Sequence, residues 1–339
     1  MSPKACCCLD DVHQSLQAFK DLPGQTAYCL QISDDDQPPL FEAEENGDQS
    51  LFCGSAFKVF VVAAYLREAE AGRLDSMVDK RQSALQAALA ESLSIDVSVH
   101  APSSRVFDDL SGTTMAIAVL EAMIAYSDNT ATDVAMKRLG VETVREFLYT
   151  TAGLSPSQVR IPDSIRAFAK YLDASSEYGP LNAEQTIICP AKAFVSFYRR
   201  ALQGEFFQNT GNETLRQFKR ILSTADAIPI AVPEDTICYM KGGSVSWNNS
   251  NRKDAKTEYV AYHDFYCMAG AGQMLVAAPS QGQLLRVTFA LLYNWRHTDF
   301  PSVALDHVEA TGTEKFIAKF RNVLSTISDA IQAGEWKSA

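Results

Sequence analysis

The sequence predicts an α/β (α+β) fold: an antiparallel sheet lobe with flanking terminal helices, into which an all-helical lobe is inserted. Strand-like text lies near both ends of the 339-residue chain, and helical text fills the stretch between them. An amphipathic run over residues 312–334 then closes the chain with a helix that has one apolar face.

Taken in order, residues 11–21 read as the first helix. Residues 26–32 and a stretch over 40–52 read as strands of a hairpin. Helical spacing dominates from Ser55 to about Ile221, with a turn-rich section over 94–111. Within it, Val59-Phe60-Val61-Val62-Ala63-Ala64-Tyr65-Leu66 is apolar all round, as in a helix buried in a core. Strand text returns at 236–246, 259–278 and 284–295. The expected division is a sheet lobe, 1–64 and 222–339, and a helical lobe, 65–221. No internal repeat or low-complexity linker interrupts it.

Composition narrows the functional classes. The net charge is -11, with no basic stripe to reward a phosphate backbone, so nucleic acid is not an expected partner. No run approaches the ~18 apolar residues of a membrane span. Met1-Ser2-Pro3-Lys4-Ala5-Cys6-Cys7-Cys8 lacks the apolar core of a secretory signal, and the chain reads as cytoplasmic. Its cysteines (Cys6, Cys7, Cys8, Cys29, Cys53, Cys189, Cys238 and Cys267) then read as reduced thiols. The expected partner is a small-molecule substrate, with no cofactor and no metal, and the chain a monomer or weak homo-oligomer.

The chemistry begins at Gly54-Ser55-Ala56-Phe57-Lys58. Ser55 and Lys58 sit three apart at the start of the buried apolar run, so their side chains share one helical face. A serine hydroxyl is a weak nucleophile until a neighbouring base takes its proton, and a helix start offers N–H groups to a developing oxyanion. The spacing recurs at Ser250-Asn251-Arg252-Lys253 in polar text; about one chance match is expected, and that one is read as noise.

Two further motifs accompany Ser55. Ser127-Asp128-Asn129 falls on a short turn between two helical runs, the second ending at Gly140, a C-cap candidate. Lys241-Gly242-Gly243-Ser244 closes the strand-like run from Ile237, where glycines allow close approach of a ligand to the backbone.

Ser55-x-x-Lys58, Ser127-Asp128-Asn129 and Lys241-Gly242-Gly243, in that order, resemble the serine β-lactamase and penicillin-binding protein superfamily, most closely the class A β-lactamases. Residues 10–335 can be laid against the family pattern. The resemblance implies a β-lactamase-like fold with its site in the groove between the lobes, and a serine hydrolase working through an acyl-enzyme. It implies Ser55 as nucleophile, Lys58 as base and Ser127 as proton relay supported by Lys241. Asn129 is implied to hold the acyl side chain, with the N–H groups of Ser55 and Ser244 beside Gly243 forming the oxyanion hole.

Two departures stand out. Gly242 replaces the usual Thr or Ser, removing a hydroxyl that in the family helps hold a substrate carboxylate. The stretch Arg160-Ile161-Pro162-Asp163-Ser164-Ile165-Arg166 lacks the family's water-activating Glu. Glu177 in Glu177-Tyr178-Gly179-Pro180-Leu181-Asn182 is the possible replacement, one residue out of register. The expected function is cleavage of a lactam, amide or ester. An acyltransferase or cyclase using the same acyl-enzyme, or a covalent ligand-binding relative without turnover, are the alternatives.

Other chemistry-bearing residues have plainer readings. Cys53, two before Ser55, reads as a small buried hydrophobe. Gly270-Ala271-Gly272 lacks the rest of a dinucleotide fingerprint and reads as strand packing. His13, His100, His263, His297 and His307 form no ligand pair, and Trp247 reads as pocket edge or surface loop.

Overall fold

The computed structural model describes residues 7–34, 38–74, 83–174, 186–208, 212–247, 265–279 and 282–334. The chain divides into two compact units. Unit 1 comprises residues 1–54, 190–195 and 227–339; unit 2 comprises 55–189 and 196–226.

Unit 1 is built on a five-stranded antiparallel sheet. Its strands are β1 (Gln25–Ser33), β2 (Phe41–Glu45), β7 (Ile237–Trp247), β8 (Phe265–Ala278) and β9 (Gln283–Trp295), in the order β2-β1-β9-β8-β7. Helices α1 (Cys7–Lys20) and α11 (Leu305–Gln332) pack on each other and on the sheet, burying Phe19, Phe316 and Phe320. Tyr293 and Trp295 stack at 4.6 Å, and Phe289 meets Phe320 edge-on at 5.7 Å.

The helix expected at Gly312 begins seven residues earlier, at Leu305. Gly312 is an interior packing position: a Cβ there would lie 2.2 Å from the Trp295 ring. The stretch expected as one strand over 40–52 is two. β3 (Ser50–Phe52) follows β2 after a turn, and Asn294 fastens it to β9 by accepting from Phe52 N at 3.0 Å and donating to Phe52 O at 2.9 Å. Gly270 and Gly272 sit within β8, where Cβ atoms would strike Phe320 and Met240, which is the strand packing expected of them.

Unit 2 is mainly helical. Its centre is α2 (Lys58–Glu70), whose residues from Lys58 to Leu66 are all buried. Around it pack α3 (Ala84–Ala90), α4 (Ala116–Ala125), α5 (Asn129–Leu139), α6 (Val141–Glu146) and α9 (Glu213–Leu222). Phe60, Phe147, Phe197 and Phe206 form an aromatic cluster beside α2. Two four-residue strands, β4 (Ser92–Ile95) and β5 (Gly112–Met115), pair antiparallel and bracket the turn-rich section. They correct the reading of helical text broken by turns alone over 94–111; strands this short carry too little alternation to show in sequence. Helix α7 (Ile165–Ala174) lies beyond α6. Among the described residues no helix is long and apolar enough to cross a membrane.

Candidate active site

Ser55 occupies one 3-10 turn, Gly54–Phe57, that runs directly into α2 at Lys58. Such a turn eclipses positions i and i+3, which keeps Ser55 and Lys58 on one side of the chain. Gly54 opens the turn at φ +49°, and a Cβ there would lie 2.7 Å from the Ser244 carbonyl oxygen. Both the dihedral and the contact require glycine.

Lys58 is wholly buried. Its Nζ donates to the Ser127 carbonyl oxygen and to Asn129 Oδ1, each at 2.7 Å, with longer contacts of 3.4 Å to Ser127 Oγ and the Asp128 carbonyl. The first two motifs of the sequence therefore meet through this amine.

The Ser127 turn is held open by its neighbours. Ser127 has a left-handed backbone, φ +55°, a conformation costing about 1–3 kcal/mol in a non-glycine residue. Asp128 then caps α5, its Oδ1 accepting from Ala131 N at 2.7 Å. Its Oδ2 accepts from the backbone N–H groups of Arg105, Val106 and Phe107 at 2.8, 2.6 and 3.1 Å. One buried carboxylate thus gathers four donors and fastens the loop over 101–107 to the start of α5. Asn129 Nδ2 donates to the Pro102 carbonyl at 2.7 Å, so each end of that amide has one partner and the second Nδ2 hydrogen is left for a ligand. Thr130 and Ser104 add a second clasp, Oγ1 to Oγ at 2.6 Å. Gly140 ends α5 at φ +82°, with its N–H on the Met136 carbonyl.

Asp133 lies one turn beyond Asn129 on the same face of α5. Its Oδ1 accepts from Ile165 N at 2.6 Å and its Oδ2 from Arg166 N at 3.1 Å. Burial pushes this carboxyl up to about 6, against the two N–H donors and the nearby Lys58 and Arg166 charges, which pull it down. Sequence reading passed over Asp133 because a lone Asp in a helix reads as solvated surface. Its i+4 spacing from Asn129 was the available signal.

In unit 1, Lys241 and Gly243 are buried on β7 and Ser244 is exposed. β7 pairs on one side with β8, placing Gly243 opposite Ala269 and Ser244 opposite Met268. At Gly242 a Cβ would lie 3.1 Å from that of Ala227, so the hydroxyl-bearing residue usual in the third motif meets a crowded position.

In the 160–166 stretch Asp163 is the sole carboxylate, and it accepts from Arg145 at 2.7 Å. Glu177, Ser250 and Lys253 lie outside the described residues. Cys53 is fully buried. Among the described residues one group has metal-ligand proximity, Cys29 with Glu42 and Glu44. Burial pushes the Cys29 thiol up to about 12, and Glu44 is engaged by Lys192 at 3.1 Å, as for ordinary cross-strand neighbours.

A search of curated proteins by sequence finds no match. Structurally, the chain is similar to a β-lactamase from Chitinophaga pinensis DSM 2588, with 14% identity, a TM-score of 0.67, and 95% and 99% of the two chains covered. It is similar to TLA-3 extended-spectrum β-lactamase at 13% identity, TM-score 0.67 and 96% and 99% coverage. It is also similar to a point mutant of PBP-A, solved as an acyl-enzyme complex with penicillin G, at 17% identity, TM-score 0.63 and 95% and 97% coverage. At these identities the likeness establishes the fold. The model of the β-lactamase enzyme family matches residues 13–257, more than two thirds of the chain, and the chain belongs to that family as a β-lactamase-like serine hydrolase.

Proposed function

We propose that this chain cleaves a lactam, amide or ester bond of a small molecule through an ester formed on Ser55. The observation that supports the reading best is the Lys58 amine, buried three residues from Ser55 and held by Ser127 and Asn129 at 2.7 Å. An amine in that position can take the Ser55 proton as Oγ attacks the carbonyl. Ser127 then passes a proton to the leaving nitrogen or oxygen, with Lys241 lowering the cost of that transfer. Asn129 holds the acyl side chain. The N–H groups of Ser55 and Ser244, beside Gly243, stabilise the oxyanion; the tight packing of Ser244 on Gly54 supports this role. Water ends the cycle by attacking the acyl-ester. That step is the slow one for penicillins and cephalosporins, because the sole carboxylate of the 160–166 stretch, Asp163, is engaged by Arg145.

The test is covalent. A fluorophosphonate or a reactive β-lactam should add one label, on Ser55, and none to Ser55→Ala. A β-lactam chromophore should show a burst before slow turnover. Peptide mass spectrometry placing the label on Cys53 or Ser250 would overturn the assignment.

A further inference from the structure

We propose that Arg105 and Asp226 are positioning residues for Ser127: their ion pair closes a strap around the 125–128 turn and holds the Ser127 hydroxyl where it protonates a leaving group. The consequence for the reaction rests on the acyl-enzyme reading above; the strap itself does not.

The turn is gripped on both flanks. Ala125 is the last residue of α4, so its carbonyl lacks a partner inside that helix. The Asp226 N–H, in the turn that follows α9, donates to it at 3.1 Å. On the other flank, Asp128 Oδ2 accepts from the Arg105 N–H at 2.8 Å. Each holder thus has its backbone fixed at one edge of the turn. Their side chains then meet, Arg105 Nη1 donating to Asp226 Oδ2 at 2.9 Å. The result is a closed ring that runs from Ala125 through Asp226 and Arg105 to Asp128. The chain between its two ends is Tyr126-Ser127.

Those two residues need the restraint. A left-handed backbone such as that of Ser127 persists only where its surroundings over-determine it. Tyr126 is 55% exposed and supplies little packing. Lys58 holds the Ser127 carbonyl from within; the strap supplies the hold from outside. The pair is itself exposed, its side chains at 62% and 42%, so its contribution is modest and salt screens it. Opening the ring leaves Lys58 its bond to Asn129 Oδ1, and the base beside Ser55 stays in place. What loosens is the Ser127 Oγ. Some substrates need its proton and others do not. p-Nitrophenolate departs as an anion, whereas an anilide nitrogen must take a proton as its C–N bond breaks.

Two substrates with one acyl group, a p-nitrophenyl ester and a p-nitroanilide, separate the cases on the whole protein. In Arg105→Gln, acylation of Ser55 by the anilide should slow about threefold, the scale of one exposed ion pair, while acylation by the ester stays level. Sodium chloride at about 1 M should lower the anilide-to-ester ratio in the unaltered protein and leave it unmoved in Arg105→Gln. Amide exchange reads the strap without the chemistry: protection at the Asp226 N–H should fall about threefold in Arg105→Gln and in salt, while that of α11 stays level. Equal slowing of anilide and ester, a ratio that neither the variant nor salt moves, or unchanged protection at Asp226 overturns the proposal. The salt comparison needs no variant, so a misfolded Arg105→Gln leaves it decisive. If neither substrate leaves an acyl group on Ser55, the proposed function falls, and exchange at Asp226 still judges the strap.

Discussion

The two units bury different things. Among the described residues, the buried charged side chains of unit 2 are Lys58, Glu68, Asp128 and Asp133, whereas unit 1 has Lys241. Unit 1 instead places glycines at crowded points: Gly270 against Phe320, Gly272 against Met240, Gly312 against Trp295. Its order comes from shape, through close approach of backbones and rings. Order in unit 2 comes from polar pairing, since every buried charge requires named partners. Damage should therefore be of two kinds. A change of volume at these three glycines should strain the sheet while sparing the chemistry of Ser55. Loss of a partner in unit 2 should strand buried donors and disturb the chemistry together.

The strongest blow to that contrast is Asp128→Ala. It strands four backbone N–H groups, those of Phe107 and Ala131 buried, and at about 1–3 kcal/mol for each buried orphan a loss of at least ~2 kcal/mol is expected. A urea titration read alongside Ser55 labelling should show both falling; a midpoint equal to that of the unaltered protein would refute the role given to polar pairing. Next comes Lys58→Ala, which should slow acylation at least ~10²-fold, as expected for loss of a general base. Lys58→Arg should be as poor, because a guanidinium does not give up its proton. An active Lys58→Arg enzyme would leave Lys58 a structural role only.

Gly312→Val sharpens the other side. The clash with Trp295 should cost about 1–3 kcal/mol, while the rate of Ser55 labelling per folded molecule stays level. A fall in that rate would show that shape in unit 1 matters to the chemistry.

The smallest effect is a slope. Folding raises the Asp133 carboxyl to about 6 from the usual carboxylate value near ~3.9, so in this window the folded chain binds more protons than the unfolded one. Its contribution to stability is full below pH ~4 and is lost as the pH rises through about 6. Melting temperatures of Asp133→Asn relative to the unaltered protein should accordingly climb between pH 4 and pH 7. A constant difference would contradict this.

Much of this was legible in the sequence. Ser55 with Lys58, and Ser127-Asp128-Asn129 at the mouth of a helix, depend on spacing and caps, which are local. So do the Gly140 cap and the three long strands of unit 1. What stayed hidden is long-range. Gly312 looks like a helix boundary until Trp295 is placed across from it. Asp128 looks like a simple cap until residues 105–107 fold back on it. Asp133 differs from a surface aspartate only because α7 arrives there, 32 positions later in the chain. In each case the deciding neighbour is remote in sequence, and no local pattern carries its signal.

Gly54 has a consequence for how this chain can vary. A saturation library over positions 54 and 55 should sort into two classes of loss. At 54, any side chain meets the Ser244 backbone and a left-handed dihedral, so variants should vanish from the folded fraction. At 55, variants should remain in the folded fraction and be silent only to an active-site probe. Adjacent positions would thus answer to different selections, one for having a fold and one for having a use.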